Sequence, residues 1–321
     1  YRYQILNQLL RQWYLHQLLF LFPSLGSCSN SSSTVVSSCP LGYHSSYLNM
    51  YTITIATAIS SIIIIMLTDH TMSIVERLAE LIRSYALSFE NIEEVDCGCK
   101  WIDFEGGWIK NEMWKCPGLR KIHLETSKVK GLDVLHCVFF PDYEYNIPIF
   151  GCDIVGTKTV ITAAIVDVSP VRGSEKIYDS IRPFSNSYYF KEKRPLPLWG
   201  DEIFSPYFKF VRIRDEKEVD EYVRILEGYL SVFCDWVRAQ EKDDNWVQSM
   251  LRMDDQCWYS NQQRLNKKTI AALSSWFDKE WAMEYIYNIL FDKPTLHGQL
   301  PSFQHQREAR TETHTHQVSQ K

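Results

Sequence analysis

The chain has 321 residues, 45% of them apolar and 14% aromatic, enough for one large globular domain or two smaller ones. A formal net charge of −5 excludes the global basic field that nucleic-acid binding relies on. The nine cysteines form no C-x-x-C pair, and Cys97-Gly98-Cys99 is too tightly spaced for a zinc ligand set; a reducing, intracellular compartment fits better than a disulfide framework.

Between Arg11 and Asp69 there is no Lys, Arg, Asp or Glu. Residues 1–71 therefore read as a leader distinct from the rest: a plastid-type targeting segment, a membrane anchor, or a non-native extension upstream of the true start. Ser-rich, acid-free composition fits targeting, whereas the scarcity of arginine does not. The apolar run Tyr51–Thr68 has about the length of a short membrane span but is broken repeatedly by Thr and Ser. Met50, Met66 and Met72 are candidate internal starts. The expected location is the plastid stroma if the leader is a targeting segment and the cytoplasm otherwise.

Ser73 and Glu76 form a capping box, and Ile74, Leu78, Leu81, Ile82 and Tyr85 follow at helical spacing, which predicts the first helix of a folded domain over residues 72–294. From Trp101 to Val168 the apolar period shortens to two. Turns at Glu105-Gly106-Gly107, Lys130-Gly131 and Gly156-Thr157-Lys158 then predict an antiparallel meander, with "YFKFVRIR" as a further strand. After Glu216 the helical period returns in two stripes, Val219 to Val237 and Trp281 to Leu290. Helix, strands, helices is an α+β pattern whose sheet is covered on both faces. Residues 295–321 are polar and aperiodic, and read as a disordered tail; His314 and His316 within it are a weak metal signal.

Two apolar strand patterns, "VLHCVFF" and "IPIFGCDIVG", each carry one titratable group, His136 and Asp153. Burying either is costly unless it is paired. If the Lys130-Gly131 turn is two residues long, Val129 pairs with Leu132 and Glu125 falls opposite His136 on one sheet face; His123, two residues away, shares that face. A slip of one residue sends His136 to the other face. Two readings stay open from these residues alone. One is a satisfied core histidine with a cross-strand ion pair. The other is a proton-transfer site, since a histidine titrates near 6.5 and a carboxyl in an apolar pocket is pushed up from about 4. No Ser or Cys stands in a nucleophile-elbow context, His–carboxylate metal ligation lacks a spacing signature, and no G-x-G-x-x-G or P-loop is present.

The ordered set "RKIHLETSKVKGLDVLHCVFFPDYEYNIPIFGCDIVG", "AAIVDVSPV", "RPLPLWGDEIFSPYFKFVR", "NQQRLNKKT" and "WAMEYIYNILFD" resembles the ferredoxin-dependent bilin reductases over roughly residues 73 to 294. The resemblance implies an α/β fold: a single-domain, three-layer α/β/α sandwich with a central antiparallel β-sheet flanked by helices. It implies four-electron reduction of biliverdin IXα to phycocyanobilin through radical, proton-coupled one-electron steps, for phycobiliprotein or phytochrome chromophore synthesis. No bound cofactor is implied; electrons come from reduced [2Fe-2S] ferredoxin, an acidic, transient partner. No nucleic acid and no membrane are implied for the folded domain, which is expected to be a monomer.

Carried over by motif, Asp153, His136, Glu125 and His123 match the catalytic hydrogen-bonding set, with Glu125 associated with the D-ring vinyl group. Arg194 and Lys268 match basic residues near the propionates, and Asn266 matches a pocket asparagine. His136 and Asn266 favour the phycocyanobilin branch over relatives making phycoerythrobilin or phytochromobilin, which commonly carry Asn and Asp there. Lys267 departs from the family by replacing an acidic residue, which alters the local electrostatics. A bilin- or haem-binding module without turnover is the alternative from another class, and the presence of the donors speaks against it. "KEKR" at 191–194, Arg212, Arg214, Arg264, Lys267 and Lys268 are the candidate docking cations.

Overall fold

A computed structural model describes residues 72–157, 160–296 and 298–304, all within one compact unit. The leader, Lys158 of the third predicted turn and the His314/His316 pair lie outside the described residues.

Helix α1 (Ile74–Ala86) opens as the capping box requires: the Ser73 hydroxyl accepts from the Glu76 N–H at 3.2 Å, and the Glu76 carboxylate accepts from the Ser73 N–H at 2.7 Å. Its buried stripe includes Leu78, Leu81 and Ile82. The meander follows as β1 (Glu93–Glu94), β2 (Trp101–Phe104), β3 (Gly107–Cys116), β4 (Leu119–Val129), β5 (Leu132–Pro141), β6 (Ile149–Gly156) and β7 (Ile161–Ser169). A 3₁₀ turn at Glu175–Ile177 leads into α2 (Tyr178–Asn186), then β8 (Glu192–Lys193) and β9 (Lys209–Ile213). Helices α3 (Glu216–Ala239), α4 (Trp246–Gln263), α5 (Lys267–Trp276) and α6 (Lys279–Glu284) complete the order, and α6 runs on into a π-helical turn, Tyr285–Leu290.

The strands form one antiparallel sheet in the order β1-β3-β4-β5-β6-β7-β9-β8, with β2 paired to β3. Period-two alternation divides its side chains between two cores. Leu124, Cys137, Cys152 and Val166 pack with Leu78 of α1, Ile181 of α2 and Tyr222 and Phe233 of α3. Met113, Val138, Phe140 and Ile149 point the other way, against Tyr259 of α4, Leu273 of α5, Trp281 of α6 and Tyr285 of the π-helical turn. The result is the expected three-layer α/β/α arrangement.

The β4–β5 hairpin turns on Lys130 (φ 49°) and Gly131 (φ 83°). Two consecutive positive φ values are what a tight two-residue hairpin needs, and glycine supplies the second without strain. Of the residues read as a polar tail, 295, 296 and 298–304 are described. Phe303 is buried against Trp281 and Tyr285, and its N–H donates to the Cys97 carbonyl at 3.0 Å. Among the described residues no helix is long and apolar enough to cross a membrane.

Candidate active site

The hairpin register sets Glu125 directly opposite His136, and the next strand sets His136 directly opposite Asp153. Extended outward, the same row begins with Asn111 on β3 and continues through Ile165 on β7 to Phe210 on β9. His123 and Lys121 share the face of Glu125 on β4. Three strands thus bring the predicted tetrad onto the sheet face that α4 to α6 cover.

Geometry separates the roles open to these groups. His136 Nδ1 lies 2.6 Å from Asp153 Oδ1, so the ring is anchored through one nitrogen and presents the other, Nε2. That Nε2 is buried without a protein partner, and so is Nδ1 of His123, whose ring centroid lies 5.6 Å away. The Asp153 side chain is 46% exposed against 11% for His136, which makes the aspartate the member of the pair open to solvent. His123 is fully buried; burial, with the Lys121 ammonium and His136 adding to it, holds its pKa well below the ordinary histidine value, so the ring is neutral. Burial also pushes the Glu125 carboxyl above its usual range, and this outweighs the pull of His136.

Two residues that sequence reasoning missed complete the cluster. Asn111 Oδ1 lies 2.8 Å from His123 Nε2, and the Tyr285 hydroxyl lies 2.8 Å from that same Oδ1 and 2.7 Å from Glu125 Oε2. Asn111 was reachable from the meander, because closing β3 onto β4 places it opposite Glu125. Tyr285 gave no such signal: it lies in an apolar helical stripe like any core tyrosine.

A buried ionic cluster fixes the polypeptide that overlies the row. Lys121 Nζ donates to the Ile289 carbonyl at 2.6 Å and pairs with Asp292, while Arg120 binds the other Asp292 oxygen at 2.5 Å. A register irregularity between Leu119 and Lys121 accompanies this departure from strict alternation, with both cations reaching Asp292. Phe291, held between these contacts, meets the His136 ring edge-on with centroids 5.3 Å apart.

The remaining predicted residues fall in two places. Arg194 stands at the far end of the row: its N–H donates to the Phe210 carbonyl at 2.8 Å, and its guanidinium bonds the Thr162 carbonyl and lies over the Phe210 ring. Asn266 is the N-cap of α5, accepting from the Lys268 N–H at 3.2 Å, and Lys268 is exposed on the first turn. No hydrogen bond or ion pair joins Asn266 or Lys268 to the tetrad among the described residues. Of the candidate docking cations, Lys191 is paired with Asp215, Arg214 with Glu192, and Arg264 with the Tyr287 and Phe291 carbonyls. Lys193, Lys267 and Lys268 are exposed.

Residues 73–292 match the family model described as ferredoxin-dependent bilin reductase. Phycocyanobilin:ferredoxin oxidoreductase of Prochlorococcus marinus (strain MIT 9515) is 37% identical over 223 residues, covering 67% of this chain and 92% of that protein. The protein of the same name from Synechococcus sp. (strain CC9902) is 40% identical over 197 residues, covering 60% and 79%. In fold, the chain is similar to the crystal structure of selenomethionine phytochromobilin synthase from tomato in complex with biliverdin, with a TM-score of 0.58 at 15% identity over 68% of this chain and 81% of that one. The matched span contains the whole sheet and the helices that face the tetrad, and on that footing the chain belongs to the ferredoxin-dependent bilin reductases.

Proposed function

We propose that this chain reduces biliverdin IXα to phycocyanobilin with four electrons taken singly from reduced ferredoxin, and that Glu125, His136 and Asp153 supply the protons. One observation carries the reading: two histidine nitrogens, His136 Nε2 and His123 Nδ1, are buried without protein partners on rings whose centroids lie 5.6 Å apart. Leaving a buried polar atom unpaired costs about 1–3 kcal/mol, a cost that a ligand bearing polar atoms removes. A tetrapyrrole brings pyrrole nitrogens and lactam oxygens to such a place while its rings take up apolar contacts.

The chemistry follows from charge. Each electron added to the bilin makes it more basic, so a proton held nearby lowers the barrier to the next step. Reduction of two vinyl groups takes up four electrons and four protons. His136, anchored to Asp153, offers a proton at Nε2 when its ring is charged, and the solvent-open Asp153 is the route by which the ring is recharged. Glu125, whose carboxyl burial pushes above its usual range, is a second donor on the adjoining strand and serves the D-ring vinyl group. Arg194 and Lys268 are assigned to the propionates and Asn266 to the pocket wall, with guanidinium and ammonium meeting the two carboxylates.

Anaerobic addition of single reducing equivalents to the biliverdin complex tests the stepwise route. An organic radical should appear in the electron paramagnetic resonance spectrum and decay as further equivalents arrive; its absence at every stoichiometry contradicts one-electron chemistry. Docking of the acidic ferredoxin on Lys193 and Lys267 is expected to be salt-sensitive, so KM for ferredoxin should rise several-fold from low to physiological ionic strength. A KM flat across that range rejects those cations as the docking site.

A further inference from the structure

Asn111, Glu125 and Tyr285 make more short contacts than their protons can fill if Glu125 is ionised. Asn111 Nδ2 donates to the Cys99 carbonyl at 2.9 Å, which turns Oδ1 toward His123 Nε2 and the Tyr285 hydroxyl, each at 2.8 Å. An amide oxygen only accepts, so both neighbours donate to it. His123 therefore carries its proton on Nε2, and its unpaired Nδ1 is a bare acceptor. Tyr285 has a single proton, and Asn111 takes it. The tyrosine oxygen nevertheless sits 2.7 Å from Glu125 Oε2, and two oxygens at that separation need a hydrogen between them. The remaining source is Glu125 itself.

We propose that Asn111 and Tyr285 are positioning residues that lock Glu125 as the neutral acid: Asn111 engages the only proton of Tyr285, so the tyrosine oxygen accepts from Glu125 Oε2–H. The inference rests on the proposed donor role of Glu125, which needs an acid loaded before the electron arrives. When the proton passes from Oε2 to the one-electron-reduced bilin, the electron having come from ferredoxin, the Tyr285 hydroxyl turns from Asn111 to the new carboxylate. Ionising Glu125 in the resting protein requires that same turn, and with it the loss of the Tyr285–Asn111 hydrogen bond. That lost bond is the lock.

The other groups facing Glu125 are Ser127 on its own strand, His136 on β5, Asp153 on β6 and Cys99 ahead of β2. A charged His136 favours ionisation of Glu125 and Asp153 opposes it; neither is altered by changing Asn111.

The test is infrared spectroscopy of the full chain without substrate. The wild type should show a carboxylic-acid C=O band near neutral pH that is missing in Glu125→Gln. Asn111→Ala frees the tyrosine proton to donate to the carboxylate and should lower the pH midpoint of that band by about one unit, a tenfold change in the ionisation constant. In a Tyr285→Phe background the same substitution should leave the midpoint unmoved. No acid band in the wild type, an unshifted or raised midpoint in Asn111→Ala, or an equal shift with and without Tyr285 each overturns the lock. The wild-type comparison with Glu125→Gln requires neither of the other variants to fold. Because the band is read without substrate, it separates the two claims: a confirmed lock beside unimpaired product formation by Glu125→Gln removes the donor role and leaves the lock standing.

Discussion

His136→Gln is expected to bind biliverdin and to lose about 10²–10⁴-fold in turnover, the range over which a positioned acid or base contributes. Glutamine can still donate to Asp153 Oδ1, so the aspartate keeps a partner, but it cannot release a proton at neutral pH. Electrons then reach a pigment that is not protonated at the right edge, and a radical or partly reduced bilin accumulates. Asp153→Asn should stall likewise, because the solvent-open member of the pair no longer carries protons. Absorbance titration for binding and anaerobic rapid mixing for the stalled species check both variants. Full activity in both removes the proton-donor assignment.

Asp292→Ala is expected to destabilise the fold by about 3–5 kcal/mol, the usual consequence of leaving buried charge without its partner. Asp292 and Lys121 are each 1% exposed, and Arg120 is 8% exposed. The partners respond differently to burial. Burial, with Arg120 adding like charge, pushes Lys121 below the ordinary lysine range despite Asp292. Burial alone would raise Asp292, but two cations hold it below the usual carboxylate range. A depressed carboxyl stabilises the fold above the unfolded-state pKa of about 4 and loses that contribution as pH falls through its folded value. The gap between wild type and Asp292→Ala should therefore be full at pH 7 and shrink in acid. Thermal melts across pH measure this; a drop of roughly 6–20 °C at pH 7 is expected for a domain of this size. A melting point within a degree or two of the wild type shows that the cluster is not what pins Ile289–Asp292 to the sheet.

Lys130-Gly131 made the register legible in advance, since the turn fixes which residues oppose and the apolar alternation fixes which face is inside. From that came Glu125 opposite His136, and the next strand carried the row to Asp153. Helix α4 was not legible for a physical reason. Its buried positions are Ser249, Arg252, Gln256, Ser260 and Gln263 with Tyr259 as the one aromatic, so its inner face is mostly polar and carries no apolar period. Tyr285 escaped because its partners are remote in sequence and because the aim of its hydroxyl depends on a π-helical turn, which inserts an extra residue per turn at a place no propensity marks. Arg194 was found from a short motif, yet its place at the end of the row depends on β9 running beside β7, a pairing the sequence does not reveal. The ionic grip of Arg120 and Lys121 on Asp292 was likewise hidden, since two adjacent basic residues on a strand read as solvated charge until a register irregularity turns them toward one carboxylate.

The most direct test of the account is an anaerobic assay of the chain with biliverdin IXα, reduced ferredoxin and a regenerating system, with products separated by chromatography. The account predicts phycocyanobilin as the end product, formed by four electrons per bilin, with any two-electron intermediate transient. Absence of any reduced bilin, or a two-electron product that persists when ferredoxin is in excess, contradicts it.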